Sequence, residues 1–228
     1  MAISEPDVTA EDSHYNIKNR LLDAAEPLFA AHGYEGTSVR DITAAAKCNV
    51  AAVNYHFAGK QNLYTEVFRR RLATLRQIRL SAIEKVMSEN GCKASLENLL
   101  REFAVAFLEP VAGQTQGGQI VKMLTREMFE QRLPKNMFAT EMFIPTMTAL
   151  HKALKKLCPP LNDSKTQLCI HSLIAQLVHV IHLKELFDHD DNPKLPTFDL
   201  ASFIDHIVDF SVAAIRACEK ETPKCTEH

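Results

Sequence analysis

Apolar side chains recur at steps of three and four residues along most of the chain. The first such run, residues 15–32, aligns Leu21, Ala25 and Phe29, and Gly33 follows it. This spacing places side chains on one face of an α-helix, and glycine is common just beyond a helix end. No segment shows the sustained alternation of apolar and polar residues that a strand would give. The pattern predicts an all-α fold of about nine helices.

The next predicted helix begins with a clear capping signal. Thr37 or Ser38 can accept a hydrogen bond from an orphan backbone N–H group, and Asp41 has the position of the acidic residue in a capping box. The predicted apolar face consists of Val39, Ile42 and Ala46. Arg40 and Thr43 are expected to point away from that face.

A turn around Lys47 separates this helix from a second short helix, predicted for residues 50–56 with Asn49 as its cap. Val50 and Val53 form its predicted buried side. The opposite side carries Ala51, Ala52, Asn54, Tyr55 and His56. Small residues let a helix approach base edges closely, and polar or aromatic tips can bind bases or phosphates. The pattern therefore predicts a recognition helix for the major groove.

Further candidate DNA contacts flank this helix. Lys60 opens the next predicted helix, where its ammonium group adds to the orphan N–H groups of a helix start and suits a DNA phosphate. Arg40 and Thr43 complete the predicted DNA-contacting set. Lys18 and Arg20, near the start of the first helix, are candidates for additional phosphate contacts.

Charge is distributed unevenly along a chain whose formal net charge is −2. Residues 15–80 contain ten Lys or Arg and five Asp or Glu, a balance of +5, so the remainder sums to −7. A basic end on an acidic body is expected when only that end meets phosphate. The charge pattern agrees with double-stranded DNA as a partner.

Several short stretches between residues 15 and 65 also carry a family resemblance. They are Ala24-Ala25, Leu28-Phe29, His32-Gly33-Tyr34, Thr37-Ser38-Val39-Arg40-Asp41-Ile42, Asn54-Tyr55-His56-Phe57, Lys60 and Leu63-Tyr64. Together they resemble the DNA-binding domain of the TetR family of bacterial transcription regulators. One departure is Lys47, which stands where the family usually has glycine and must adopt either a less favourable backbone conformation or a slightly different turn.

The predicted organisation has three parts. A mobile polar arm covers residues 1–14, a three-helix helix-turn-helix DNA-binding domain covers 15–62, and a helical ligand-binding and dimerisation domain covers 63–228. The helices predicted for the last part are 60–88, 95–108, 119–131, 135–157 with a bend at Pro145, 164–187 and 199–218.

The last two predicted helices are apolar on more than one face. Such helices need a second surface to pack on, and a homodimer built as a four-helix bundle supplies it. The predicted interface residues are Leu173, Leu177, Ile181, Phe203, Ile207 and Phe210. The TetR resemblance implies the same mode of dimerisation. Two recognition helices would then read a pseudo-palindromic site with half-sites ~34 Å apart or a multiple of this.

The middle helices carry side chains that suit a small-molecule effector. The predicted site consists of Phe103, Phe107, Met123 and Met147, with Arg126, Glu127 and His179 as polar anchors. The alternative is an ordinary core for the apolar set, and an exposed face or an ion pair for Arg126 and Glu127. An effector that shifts the body helices would move the recognition helices out of register. The predicted function is a repressor released by an apolar or amphipathic effector.

Two rival classes remain open for the helical body. One is an all-α cytosolic enzyme with a site among Arg126, Glu127 and His179. The other is a metal-binding protein that combines His179 and His182 with His206 or Asp205. The sequence contains neither a Gly-rich phosphate loop after a strand nor a nucleophile motif, so no enzyme, cofactor or metal is expected.

Cysteine usage and targeting signals bear on location. The six Cys lack a C-x-x-C pair, the amino terminus lacks the features of a signal peptide, and no stretch approaches ~20 uninterrupted apolar residues. These features predict a cytoplasmic protein with no membrane partner. Cys48 in the turn is either a redox switch or an ordinary small buried residue.

Overall fold

The structure is a computed structural model that describes residues 10–88, 94–112, 130–188 and 199–221, together with residues 123 and 127. Within those residues it contains eight α-helices and no strand. The helices are α1 (Ala10–His32), α2 (Val39–Ala45), α3 (Ala51–Phe57), α4 (Lys60–Ser88), α5 (Leu96–Ala112), α6 (Ile144–Leu157), α7 (Asp163–Asp188) and α8 (Leu200–Glu221). The all-α class is confirmed.

The amino-terminal boundary is corrected. Helix α1 begins at Ala10, so residues 10–14, predicted to belong to a mobile arm, are helical. Residues 1–9 lie outside the described part. The helix predicted for residues 119–131 also falls mostly outside it, although Met123 and Glu127 are helical.

A π-helical turn, Ala139–Phe143, leads directly into α6. Pro145 stands in the first turn of α6, and its missing N–H group removes the donor that a regular helix would place opposite the Glu141 carbonyl. Arg76 donates to that carbonyl instead. The irregularity predicted at Pro145 therefore lies in the turn just before it. Single π-helical turns of this kind often mark functional sites.

The chain divides into two compact units. The first runs to Arg71 and includes Gln119–Lys135, and the second comprises Leu72–Gly118 and the residues from Asn136 onward. This division falls within α4, whereas the sequence places the functional boundary between residues 62 and 63. In the first unit, α2 and α3 pack on α1 and on each other. The core residues include Leu21, Phe29, Ile42, Val53, Phe57 and Leu63.

Salt bridges fix the start of α4 to α1 in the first unit. Arg70 contacts Asp23 at 2.6 Å and Glu26 at 3.0 Å, and Arg71 also pairs with Glu26. Arg69 pairs with Glu66 on the same helix. These arginines neutralise three of the five carboxylates of residues 15–80, so the basic excess of that stretch is carried by its other cations.

In the second unit, α5 packs mainly on α8, and α7 packs on α6, α5 and α8. This packing corrects half of the predicted dimer interface, because Leu173, Leu177 and Ile207 are buried in the chain's own core. Ile181 and Phe203 pack partly against the same core. The predicted interface residue Phe210 is 57% exposed. Two apolar residues of α7 outside the predicted interface, Leu168 (66% exposed) and Val178, are also exposed.

Candidate nucleic-acid interface and ligand site

The start of α2 is fixed by the predicted capping box. The Asp41 N–H group donates to Ser38 Oγ at 3.1 Å, and the Ser38 N–H group donates to Asp41 Oδ2 at 3.0 Å. Hydrogen bonds from the Ser38 side chain and backbone lower the pKa of Asp41 below its ordinary value. Thr37 is buried instead, and its hydroxyl donates to the carbonyls of Leu28 and Gly33. Ser38 is therefore the cap.

The turn after α2 has the strained backbone that the sequence predicts. Lys47 adopts a positive φ of 52°, which L-residues with a Cβ rarely occupy. Arg20 donates to the carbonyls of Ala46 and, at 2.9 Å, Lys47. Sequence reasoning proposed Arg20 as a phosphate contact, but its guanidinium caps the carboxyl end of α2. The half-buried Cys48 thiol also donates to the Ala46 carbonyl.

Helix α3 presents one exposed face. The Ala51 N–H group donates to Asn49 Oδ1 at 3.0 Å, but the cap residue is Val50, not the predicted Asn49, because the helix begins at Ala51. Val53 and Phe57 are buried, and the exposed side carries Ala51, Asn54 and Tyr55, the last 75% exposed. Steps of three and four residues place these three on one side of the helix.

Two orientation predictions in this region are wrong. Val50 is exposed because α3 begins one residue later than predicted. Thr43 is only 2% exposed, and its hydroxyl donates to the carbonyls of Val39 and Arg40 within its own helix. Position 43 is one residue from Ile42 and lies on the same buried side of α2. Its side chain is therefore removed from the candidate DNA contacts.

The remaining candidates lie around α3. Arg40 is exposed, whereas Ala52 and His56 are half-buried. The His56 ring contacts Tyr55 edge-on, with 5.1 Å between the ring centroids. Lys60 begins α4, and its Nζ lies 4.1 Å from the centroid of the Tyr34 ring. A cation–π contact holds this ammonium group at the amino end of α4.

Glu127, predicted as an effector anchor, has a structural role in the first unit. Its carboxylate accepts hydrogen bonds from the Tyr64 hydroxyl at 3.1 Å and the Leu133 N–H group at 2.5 Å. Burial and the nearby Glu127 charge raise the pKa of Tyr64. Arg132 supports the same segment by pairing with Glu35 at 2.7 Å. Glu127 therefore has a structural role through hydrogen bonds, which is neither the effector anchor nor the exposed face or ion pair given as alternatives.

The other predicted effector residues do not share one environment. Phe103, Phe107 and Met123 are buried, Met147 is partly buried, and His179 is exposed on α7. Arg126 lies outside the described residues. In the second unit the rings of Phe103 and Phe107 are neighbours, with centroids 6.0 Å apart.

Sequence reasoning missed the buried cation beside Phe107. The Cζ atom of Arg79 lies 3.8 Å from the Phe107 ring centroid, and Nη1 lies 3.2 Å from Met142 Sδ. Arg79 is 5% exposed, and burial lowers its pKa to about 10. A signal was present: the buried positions of this part of α4 are Leu72, Leu75, Arg79, Ile83 and Val86. Ile78, which apolar periodicity alone would place on the buried side of this helix, is exposed.

The rival readings of the helical body gain no support. Within the described ranges no group of three or more His, Cys, Asp or Glu side chains is arranged to hold a metal ion. Glu127, which the enzyme reading needs, is engaged by Tyr64 and Leu133. Residues 163–184 of α7 are long and apolar enough to cross a membrane, and 28% of that segment is buried.

Helices α2 and α3 pack on α1 and are joined by the turn at Lys47. This arrangement defines a helix-turn-helix DNA-binding protein. Residues 21–67 match the family model described as bacterial regulatory proteins, tetR family. Residues 96–215 match the C-terminal domain of the HTH-type transcriptional dual regulator CecR. The latter match covers more than half of the chain. The chain belongs to the TetR family of bacterial transcription regulators.

Curated relatives and solved structures agree with this family. Over 95 residues the chain is 32% identical to the transcriptional repressor AcnR of Corynebacterium glutamicum, a match spanning 42% of this chain and 46% of the repressor. A TetR-family regulator from Mesorhizobium loti has a TM-score of 0.68 at 16% identity, covering 90% of this chain and 97% of its own.

A second solved structure is FadR from Bacillus subtilis in complex with stearoyl-CoA. Its TM-score is 0.64 at 13% identity, and the match covers 86% of this chain and 98% of FadR. At sequence identities this low, these two structures show only that the fold is similar.

Proposed function

We propose that the protein is a homodimeric repressor that binds a pseudo-palindromic operator through α3 and is released by a small apolar or amphipathic effector. The observation that carries the proposal is the exposed face of α3, where Ala51, Asn54 and Tyr55 stand over a buried Val53 and Phe57. AcnR, which is similar to part of this chain, is a transcriptional repressor. Regulation of this kind takes place in the bacterial cytoplasm, where the DNA is.

Roles follow from position and chemistry in this proposal. Ala51 and Asn54 read base edges, with Ala52 allowing close approach, while Tyr55 and His56 contact phosphates or support α3. Phosphate contacts come from the exposed Arg40 and from Lys60 at the start of α4. DNA binding is assigned to residues 15–62, and effector binding and dimerisation to 63–228.

The proposed dimer uses the exposed apolar side chains of α7 and α8. Leu168, Val178 and Phe210 are the large apolar residues that the chain's own core leaves exposed within the described parts of these helices. A largely uncovered apolar helix is stabilised when a second copy covers it, because apolar area leaves water. This arrangement also explains the composition of residues 163–184 without a membrane.

The test is fluorescence anisotropy with labelled DNA from upstream of the protein's own gene. We expect tight, salt-sensitive binding that unrelated competitor DNA does not displace. Asn54→Ala should change the base preferred at one position of each half-site. Asn98→Ala, the same change on an exposed residue of α5, is the matched control and should leave the preferred site unchanged. Weak binding that ignores sequence would refute the proposal.

A further inference from the structure

Arg79 is a buried cation whose hydrogen-bonding capacity is poorly used. Among the described contacts, its guanidinium meets the sulfur of Met142 and the face of Phe107, and its buried Nε has no hydrogen-bond partner. A thioether is a weak acceptor, and Arg presents five N–H donors. Within the part of the chain that the structure describes, the Nε–H group therefore has no acceptor, and Nη1 has only a weak one.

A carboxylate is available in the same unit but is directed elsewhere. Glu141 immediately precedes Met142 in the π-helical turn, and it pairs with Arg76 at 3.6 Å. Arg79 has no ion pair with any residue that the structure describes. A buried charge without a counterion is strongly unfavourable, which makes an external anion the natural partner.

The groups that the structure shows against this guanidinium are an aromatic ring and a thioether, those of Phe107 and Met142. Phe103, Phe107 and Leu150 are buried in the core of the second unit. The hydroxyl of the buried Thr146 donates to the Met142 carbonyl at 2.8 Å, so it is already occupied within its own helix. The π-helical turn places Met142 against the cation, and such turns often accompany ligand sites. One cation among aromatic and thioether groups complements an amphipathic anion.

We propose that Arg79 is the anion-binding group of the effector site and that the effector is an amphipathic oxyanion. A carboxylate or phosphate group would accept two parallel N–H bonds from the guanidinium, and its apolar body would pack against Phe107 and Met142. This inference rests on the proposed function and deepens it by naming the chemical class of the effector. It assigns to Arg79 the polar-anchor role that the sequence alone gives to Arg126.

The first test compares three probes with the same alkyl chain on the wild-type protein: dodecanoate, dodecyl phosphate and dodecanol. The two anions are used below their micellar concentrations, and all three are used below the solubility limit of the alcohol. Thermal shift and calorimetry should show that at least one anion binds about tenfold or more tightly than the alcohol, the effect of hydrogen bonds to a charged group. The stronger anion identifies the headgroup. Equal affinity for all three probes, or binding by none, overturns the inference.

The second test asks whether Arg79 causes the preference. Arg79→Met keeps a side chain of similar length and removes the charge, so it should bind the three probes equally. Arg79→Gln serves the same comparison if the methionine variant does not fold. Arg101→Met, a change to an exposed arginine of α5 that pairs with Asp205, is the matched control and should keep the preference. An anion preference that persists in both Arg79 variants overturns the assignment.

DNA binding separates this inference from the proposed function. The preferred anion should release operator DNA from the wild-type protein and not from the Arg79→Met variant. Failure of the ligand-free protein to bind DNA overturns the repressor and leaves the probe affinities to decide the Arg79 site. DNA binding that ignores a bound anion overturns the effector role and leaves the regulator intact.

Discussion

Lys47 occupies a backbone conformation that suits glycine, since its φ is 52°. Left-handed backbone costs an L-residue roughly 1–2 kcal/mol, and glycine at this position would remove that cost. Part of the gain is lost because glycine loses more conformational entropy on folding. Lys47→Gly should therefore raise the free energy of unfolding by about 0.5–1 kcal/mol in urea titrations. Lys47→Ala removes the same charge and keeps the Cβ. An equal gain in both variants would show that charge, not backbone strain, is responsible.

Lys60 combines a cation–π contact with a place at the start of α4. Lys60→Ala should weaken binding to all DNA sequences alike and reduce the slope of log K against log salt by about one unit, because one phosphate contact is lost. Anisotropy titrations over a range of salt concentrations measure that slope. Lys85→Ala, at the other end of α4, should leave it unchanged. An unaltered slope in Lys60→Ala would mean that the ammonium group serves only Tyr34.

Residues whose partners lie within four positions were predictable from the sequence. Ser38 with Asp41 and Asn49 with Ala51 are pairs of this kind, and both interactions are present. Thr43 and Arg79 were misjudged because their burial depends on which side of the helix meets the rest of the unit. When the buried side of α4 is assigned one residue too early, Ile78 is placed on the inward side, although Arg79 is the buried residue.

Helix α2 is one of the shortest described elements, so its stability depends on its cap. Ser38→Ala should lower the free energy of unfolding by about 1 kcal/mol, the usual effect of losing an N-cap side chain. Urea titration followed by circular dichroism measures the change. Ser172→Ala, on the exposed side of α7, is the control and should have a smaller effect.

The same capping box predicts a pH dependence. The hydrogen bonds from Ser38 depress the pKa of Asp41 in the folded protein, so its stabilising effect is present above the unfolded pKa of about 3.9. That effect is lost as the pH falls through the lower folded value. Asp41→Asn should be less stable than wild type near neutral pH, and the difference should shrink under acid. A constant difference across this range would contradict the carboxylate's role.

Helices α7 and α8 show what periodicity leaves open. Each carries apolar residues on more than one side, so the sequence predicts that two surfaces are covered but not which one faces inward. The chain's own core takes Leu173, Leu177 and Ile207, and Leu168 and Phe210 stay exposed. The identity of the inward face depends on packing against α5, which local sequence does not encode.

At the scale of the molecule, the net charge of residues 15–80 does not by itself give the charge that would face DNA. The arginines at positions 69–71 pair with Asp23, Glu26 and Glu66, so they add little to the field that DNA would meet. The exposed cations near α2 and α3 are Arg40, Lys47 and Arg20, and the guanidinium of Arg20 already donates to the carbonyls at the end of α2. A few phosphate contacts from each subunit are thus expected, and dimerisation is what would raise affinity to a useful range.

The proposed dimer gives a prediction that separates the exposed apolar face from the chain's own core. Phe210→Arg places a charge on the exposed face of α8, where burial against a second copy would be strongly unfavourable. We expect this variant to be a folded monomer in analytical ultracentrifugation and to bind a full operator little better than a single half-site. The effect on operator affinity arises because two linked recognition helices bind together.

Leu173→Ala is the matched comparison on the inward side of α7. This change leaves a cavity in the core of the second unit and should lower the free energy of unfolding by about 2–5 kcal/mol, while the folded fraction stays dimeric. Ultracentrifugation at a temperature well below the melting point measures both variants. If Leu173→Ala dissociates the dimer and Phe210→Arg does not, the interface lies on the side of α7 that carries Leu173 and not on the exposed face of α8. The exposed face of α8 would then have another role.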